Sequence, residues 1–241
     1  MESTRQRLGQ RGLLDAAPGL PSFDPLDRAT LQEQAYQQLR RAVMGGVFSP
    51  GTVITIRAAA DALGVSPMPV RAALGRLESE GALVARGSKR TLEIPALTHE
   101  EYRELRDIRM VLEGLAAERA VATITPAELD EVERHCRAMQ AAAEAGDLEA
   151  YTGANWAFHL AIYRASRMEV LVGMIEGLWL RVGPYVKFML PDRESLIASM
   201  PDHWRALEAL QKKSGPGARK AVAEDIGHCA VNLLKALAPR H

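Results

Sequence analysis

The sequence predicts a mainly α-helical protein in two parts. Three short helices with a small β-hairpin occupy residues 30–95, and an all-helical bundle of six to seven helices occupies 96–241. Three observations predict it. Apolar residues recur at helical spacing through most of the chain. Strand-like runs occur only before Pro95, at 52–56, 83–85 and 91–94. After Pro95, helix-start signals follow one another with no strand signal between them.

Residues 1–29 carry Gly9, Gly12, Pro18, Gly19, Pro21 and Pro25 without a sustained period, and are expected to form a flexible arm. From Thr30 the period Leu31, Ala35, Leu39, Val43 marks a helix that Gly45-Gly46 stops. The turn Ser49-Pro50-Gly51 leads into a short β-branched run, then a helix over 57–63 that Gly64 breaks. Ser66 followed by Pro67 is a strong start for a third helix, because proline lacks an N–H that would be unpaired at that position. Val70, Leu74 and Leu77 give this helix its core stripe. Two short strands then flank a basic tip at 86–90. Helix, strand, helix, turn, helix and hairpin is the order of a winged helix-turn-helix.

In the bundle, Thr98-x-x-Glu101 and Thr125-x-x-Glu128 are capping boxes that start helices over about 98–122 and 126–145. A third helix runs to about residue 167, and a fourth covers about 169–189 with a bend near Gly183-Pro184. Residues 191–201, bounded by prolines, are expected to be a loop with helical pieces; helices over about 202–213 and from the Ser214–Gly217 turn to Leu237 finish the chain.

Composition narrows the class. At 47% apolar and 25% charged residues the chain reads as globular, and no apolar run reaches the roughly 18–20 residues of a membrane span. Two cysteines, Cys136 and Cys229, make no disulfide framework, so a reducing cytoplasm is the expected location. Net charge is zero, yet residues 30–95 carry +3 and residues 96–241 carry −3. That asymmetry suits a first part that meets a polyanion and a second part that does not.

Met68, Arg71 and Gly75, at i, i+3 and i+7, share another face of the third helix, away from its core stripe. Arg71 can bond O6 and N7 of guanine, a contact worth roughly 1–3 kcal/mol of discrimination. Ser66 can bond a phosphate at the helix start. Arg57 lies near the same groove, and Gly87, Lys89 and Arg90 at the wing tip reach phosphate or minor groove. The plain alternative is a solvated basic face.

All six histidines lie in the second part, and five of them, His99, His135, His159, His203 and His228, fall on its expected helices. Asn155 and His159 are four residues apart and share a helix face, while His203 and His228 lie on the last two helices. Antiparallel neighbours can bring these four onto one interior, where imidazoles plus an oxygen would hold zinc or another divalent first-row metal, nickel or manganese included. His135-Cys136 and His228-Cys229 are poor metal pairs, since adjacent helical residues point about 100° apart. The alternative for each histidine alone is a surface or satisfied core residue.

The string Leu63-Gly64-Val65-Ser66-Pro67-Met68-Pro69-Val70-Arg71-Ala72-Ala73-Leu74, with Pro50-Gly51 before it and Gly81-Ala82-Leu83-Val84 after it, resembles the GntR superfamily of transcription regulators. The second part resembles that family's FCD class, in its metal-binding branch. The resemblance covers about residues 30–238 and implies operator contacts at Arg57, Ser66, Arg71 and Gly87. Pro67 and Met68 stand where many relatives have a basic and a polar residue, which shifts the load to Arg71 and Arg57. It implies metal ligation by Asn155, His159, His203 and His228, with Asn155 replacing a commoner Asp. Arg109, in Arg109-Met110-Val111-Leu112-Glu113, matches the class's R-x-x-L-E. It is read either as an ion pair with Glu113 or as a clamp for a carboxylate effector, with Arg181 as a second anion contact. Met168 stands where many relatives have Asn.

The expected function is a cytoplasmic, homodimeric regulator, with no membrane association, that binds double-stranded operator DNA under the control of a small organic acid held near a metal. Two other readings remain open: a metalloregulator for which the metal is the signal, and a metal-dependent hydrolase with Asp202 as the sole nominated acid. The second lacks an H-E-x-x-H motif.

Overall fold

The computed structural model describes residues 31–87 and 91–238. The expected arm at 1–29, and Lys89 and Arg90 at the wing tip, lie outside the described residues.

α1 (Leu31–Met44), β1 (Val53–Ile54), α2 (Ile56–Leu63), α3 (Pro67–Ser79), β2 (Val84–Arg86) and β3 (Thr91–Glu93) follow the expected order. The strands form one antiparallel sheet in the order β1-β3-β2, with Ala85 opposite Leu92 and Ile54 on the other side of that same residue. Val43, Val70, Leu74, Leu77, Leu83 and Ile94 are fully buried and form the core these elements share. Tyr36 of α1 donates to the Glu80 carboxylate at 2.7 Å, and the Arg76 guanidinium lies 3.7 Å from the ring centroid. Arg76 also pairs with Glu33 and Glu80, so it is committed to holding α1 against α3.

The remainder is a helical bundle: α4 (His99–Thr123), α5 (Pro126–Ala145), α6 (Leu148–Ala165), α7 (Glu169–Val182), α8 (Val186–Met189), α9 (Arg193–Gln211) and α10 (Gly215–Leu237). Both capping boxes form, at Thr98–Glu101 and Thr125–Glu128. The expected bend in the fourth helix is a 3-10 turn, Gly183–Tyr185, between α7 and α8. The expected loop over 191–201 is instead the first half of α9, which runs through Pro201. An interior proline costs about 3 kcal/mol. Opposing it are a capping box at Asp192 and Ser195 and the burial of Leu196, Ser199 and Met200. No helix among the described residues is long and apolar enough to cross a membrane.

α1 ends against the bundle at a close approach of main chain to main chain. A Cβ on Gly183 would stand 2.6 Å from the Met44 Cα and carbonyl oxygen, so only glycine lets these two backbones approach so closely. Gly46, with φ +68, lies against Gly183 and Val186 from the other side. Arg40 of α1 pairs with Glu176 of α7 at 2.8 Å. The Tyr185 hydroxyl accepts from Leu97 N and lies 3.3 Å from the Pro95 carbonyl, pinning the connection between the two parts.

Candidate metal centre and nucleic-acid interface

On the first part, Arg57, Ser66, Met68, Arg71 and Gly75 are all exposed. Neither Arg57 nor Arg71 has an ion-pair partner among the described residues, whereas Arg76, one turn further along α3, is fully paired. The two helix starts differ. Thr55 caps α2 by accepting from Ala58 N at 3.1 Å. Ser66 takes the extended cap conformation at α3 but its side chain caps nothing. Prolines at 67 and 69 leave Met68 to supply the free amide of that turn. A hydroxyl and one amide at an uncapped helix start suit a phosphate oxygen. Gly87 has φ +66, the left-handed turn that lets the wing fold back.

Inside the bundle, His159 of α6, His203 of α9 and Asp225 of α10 converge, with one ligand atom from each lying within 4.8 Å of the others. All three are buried, at 2%, 1% and 6% exposure, so the cluster is a closed site and not a surface coincidence. Asp225 Oδ2 lies 3.3 Å from His159 Nε2 and Oδ1 lies 3.5 Å from His203 Nε2. Asn155 joins them, with Oδ1 2.8 Å from His203 Nε2.

Proton positions decide what this cluster can hold. His203 Nδ1 lies 3.0 Å from the Ser199 carbonyl, which can only accept, so the ring hydrogen sits on Nδ1. Burial pushes the His203 pKa below the usual histidine range, against the pull of Asp225, so the neutral ring presents a bare Nε2. Burial would raise the Asp225 carboxyl, but the positive charge that His203 carries when protonated, with Arg109 behind it, holds it below the usual carboxylate range. Bare nitrogen, carboxylate and amide oxygen therefore face one another. Acceptors at 2.8 Å repel unless a cation or proton lies between them, or Asn155 turns its NH2 inward. Two imidazoles, a carboxylate and a neutral oxygen form a donor set that fits a divalent first-row metal.

Arg109 is buried, and its Nε donates to Glu113 Oε1 at 2.6 Å. Glu113, fully buried, also accepts from the Tyr163 hydroxyl at 2.6 Å and from Trp179 Nε1 at 3.1 Å. The guanidinium lies 4.9 Å from the Trp179 ring centroid. The ion pair with Glu113 is thus present, and Arg109 also lines a cavity of about 50 Å³ together with Asn155, His159, Asp225, Cys229 and Met44. Burial pushes the Cys229 thiol well above its usual range, so it faces the cavity as a neutral thiol.

Three nominated residues, His228, Asp202 and Arg181, are not brought here. His228 is 63% exposed and its Nδ1 lies 2.7 Å from Asp202 Oδ2. Asp225, one turn earlier on α10, occupies the inward position instead. Asp202 is buried between His228 and Arg205 and does not line the cavity. Arg181 is half-buried beside Glu101 at the start of α4, also away from the cavity. Sequence reasoning missed Asp225, Tyr163 and Trp179. The signal for Asp225 was an acid within the apolar stripe Ala218, Ala221, Val222, Ile226. The signal for Tyr163 was its place on the four-residue spacing Tyr151, Asn155, His159, Tyr163.

A family model described as "Bacterial regulatory proteins, gntR family" matches residues 31–92, and one described as "FCD domain" matches residues 104–228. The HTH-type transcriptional regulator McbR of Escherichia coli (strain K12) is 32% identical over 207 residues, covering 85% of this chain and 93% of that protein. The uncharacterized HTH-type transcriptional regulator YdhC of Bacillus subtilis (strain 168) is 28% identical over 204 residues, covering 83% and 89%. The solved structure of E. coli McbR/YncC superposes with a TM-score of 0.80 at 31% identity, over 87% of this chain and 99% of that one. These relatives are named as regulators of transcription, not as enzymes.

Proposed function

Because the chain belongs to the GntR family of DNA-binding transcription regulators, with an FCD domain behind its reading head, we propose that a small carboxylate bound beside a divalent metal controls its hold on operator DNA. The observation that carries this reading is the buried meeting of His159, His203, Asp225 and Asn155, of which Asn155, His159 and Asp225 line one cavity with Arg109. His159, His203 and Asp225 would hold the metal, with Asn155 as a neutral fourth donor; zinc is the first candidate, nickel or manganese the alternatives. When bound, the metal supplies positive charge and open coordination positions. Charge counting says why it is needed. Arg109 is neutralised by Glu113, and Asp225 adds a negative charge. Without a cation the cavity therefore repels an acid; with one it attracts it.

Cavity size links binding to control. About 50 Å³ holds one or two waters. An organic acid needs more room, so a wall must move, and one wall is Met44 at the end of α1. Movement there reaches α3, which α1 braces through Tyr36, Glu80 and Arg76. In this reading Arg71 and Arg57 read bases, and Ser66 and the wing hold phosphate. Met68 is placed to touch a thymine methyl. Two copies on a two-fold axis bind a palindromic site in the cytoplasm.

The test is fluorescence anisotropy on operator DNA selected from random sequence, with metal-loaded and chelator-treated protein, against a panel of small carboxylates. Release of DNA by an acid only in the loaded protein supports the reading. Release by metal alone makes the metal the signal. Indifference to both overturns the reading.

A further inference from the structure

We propose that Tyr163 is the positioning residue that readies His159 for a metal, tying the Arg109–Glu113 ion pair to the metal-facing nitrogen of that imidazole. The proposal rests on the metal reading above. Tyr163 is fully buried, one turn after His159 on α6. Its hydroxyl stands 2.6 Å from Glu113 Oε2 and 3.0 Å from His159 Nδ1.

A phenol has one proton to give. Glu113, paired with Arg109, can only accept, so the shorter contact takes that proton. The phenol oxygen is then left to accept from His159 Nδ1–H. In a neutral ring the single hydrogen is then on Nδ1 and the lone pair on Nε2, directed toward Asp225 Oδ2 at 3.3 Å. A competing arrangement shifts both protons: Tyr163 donates to Nδ1, and Nε2–H donates to Asp225. It would put a hydrogen on the nitrogen a metal requires. The lengths decide between them. The Tyr163–Glu113 contact is short, as expected for a hydroxyl donating to a carboxylate, whereas 3.3 Å is long for an imidazole donating to one. Arg109 Nε and Trp179 Nε1 hold Glu113 in place to receive the proton.

His203 reaches the same tautomer by simpler means, from the Ser199 carbonyl, and serves as an internal control. For His159 the ordering group is a side chain, itself ordered by the arginine that lines the effector cavity. One hydroxyl therefore joins the anion-facing and metal-facing halves of the site.

The experiment reads ring tautomers in the metal-free protein by long-range proton–nitrogen correlation, and Zn²⁺ affinity by competition with a chromophoric chelator. Wild type is expected to carry hydrogen on Nδ1 of both His159 and His203. Tyr163→Phe should move His159 toward Nε2–H, leave His203 unchanged, and weaken Zn²⁺ binding by about 10- to 100-fold. Hydrogen on Nε2 of His159 in wild type overturns the proposal without recourse to any variant. So does a Tyr163→Phe protein that folds with the wild-type tautomer and affinity. Failure of wild type to bind Zn²⁺ at all overturns the metal reading itself.

Discussion

His228 Nδ1 meets Asp202 Oδ2 at 2.7 Å on the outer side of α10, while Asp225, three residues earlier, turns in toward His159 and His203. The two residues are about 60° apart around the helix, enough to put one in the core and the other at the surface. Asp225→Ala should empty the metal site and His228→Ala should leave it filled. Elemental analysis of the purified variants decides, and loss of metal from the His228 variant would return that residue to the ligand set. His159→Ala combined with His203→Ala should abolish binding.

Arg109 bears on stability as well as on binding. Arg109→Ala leaves Glu113 buried with hydroxyl and indole donors but no opposite charge. Removing one partner of a buried pair costs about 3–5 kcal/mol, and the surviving donors place this case near about 3. Urea unfolding should show that loss, and the acid should no longer release DNA. A variant as stable as wild type would mean that the pair contributes little.

Arg71 is exposed and without an ion-pair partner among the described residues, so its removal should not touch the fold. Arg71→Ala is expected to keep the melting temperature while losing preference for operator over random DNA. Unaltered operator affinity would remove Arg71 from the reading role.

Acid should unfold the metal-free protein in two stages. His203 is held below its ordinary 6.5, so its contribution is complete above that pH and fades as pH falls below it. Asp225 is held below its ordinary 3.8, so its contribution is complete above about pH 4 and fades as pH falls further. Urea midpoints of wild type and Asp225→Asn between pH 2 and 7 should converge at the acid end. Parallel curves would show that the site does not couple to folding.

Much of this architecture is legible in the chain because its helices announce their starts. Thr98, Thr125 and Ser66 with Pro67 mark boundaries that local chemistry alone fixes. The first half of α9 was not legible, since Pro191 and Pro201 argue for a loop and only tertiary burial outweighs them. Asn155, His159 and His203 could be found because their spacing and helices are visible in sequence. His228 could not be separated from Asp225 without the rotation of α10, which depends on what packs against it. Tyr163 and Glu113 share a hydrogen bond across 50 residues of chain, and no local pattern encodes such a pairing.

The seam between Gly183 and Met44 bears on how a signal would leave the cavity. Side chains at most interfaces absorb small displacements by changing rotamer. Here main chain lies directly on main chain, and the glycine has nothing to fold away. Gly183 and Met44 both also border the cavity. A displacement inside the bundle at this point would therefore press on the main chain of α1 and not be taken up by a side chain of Gly183.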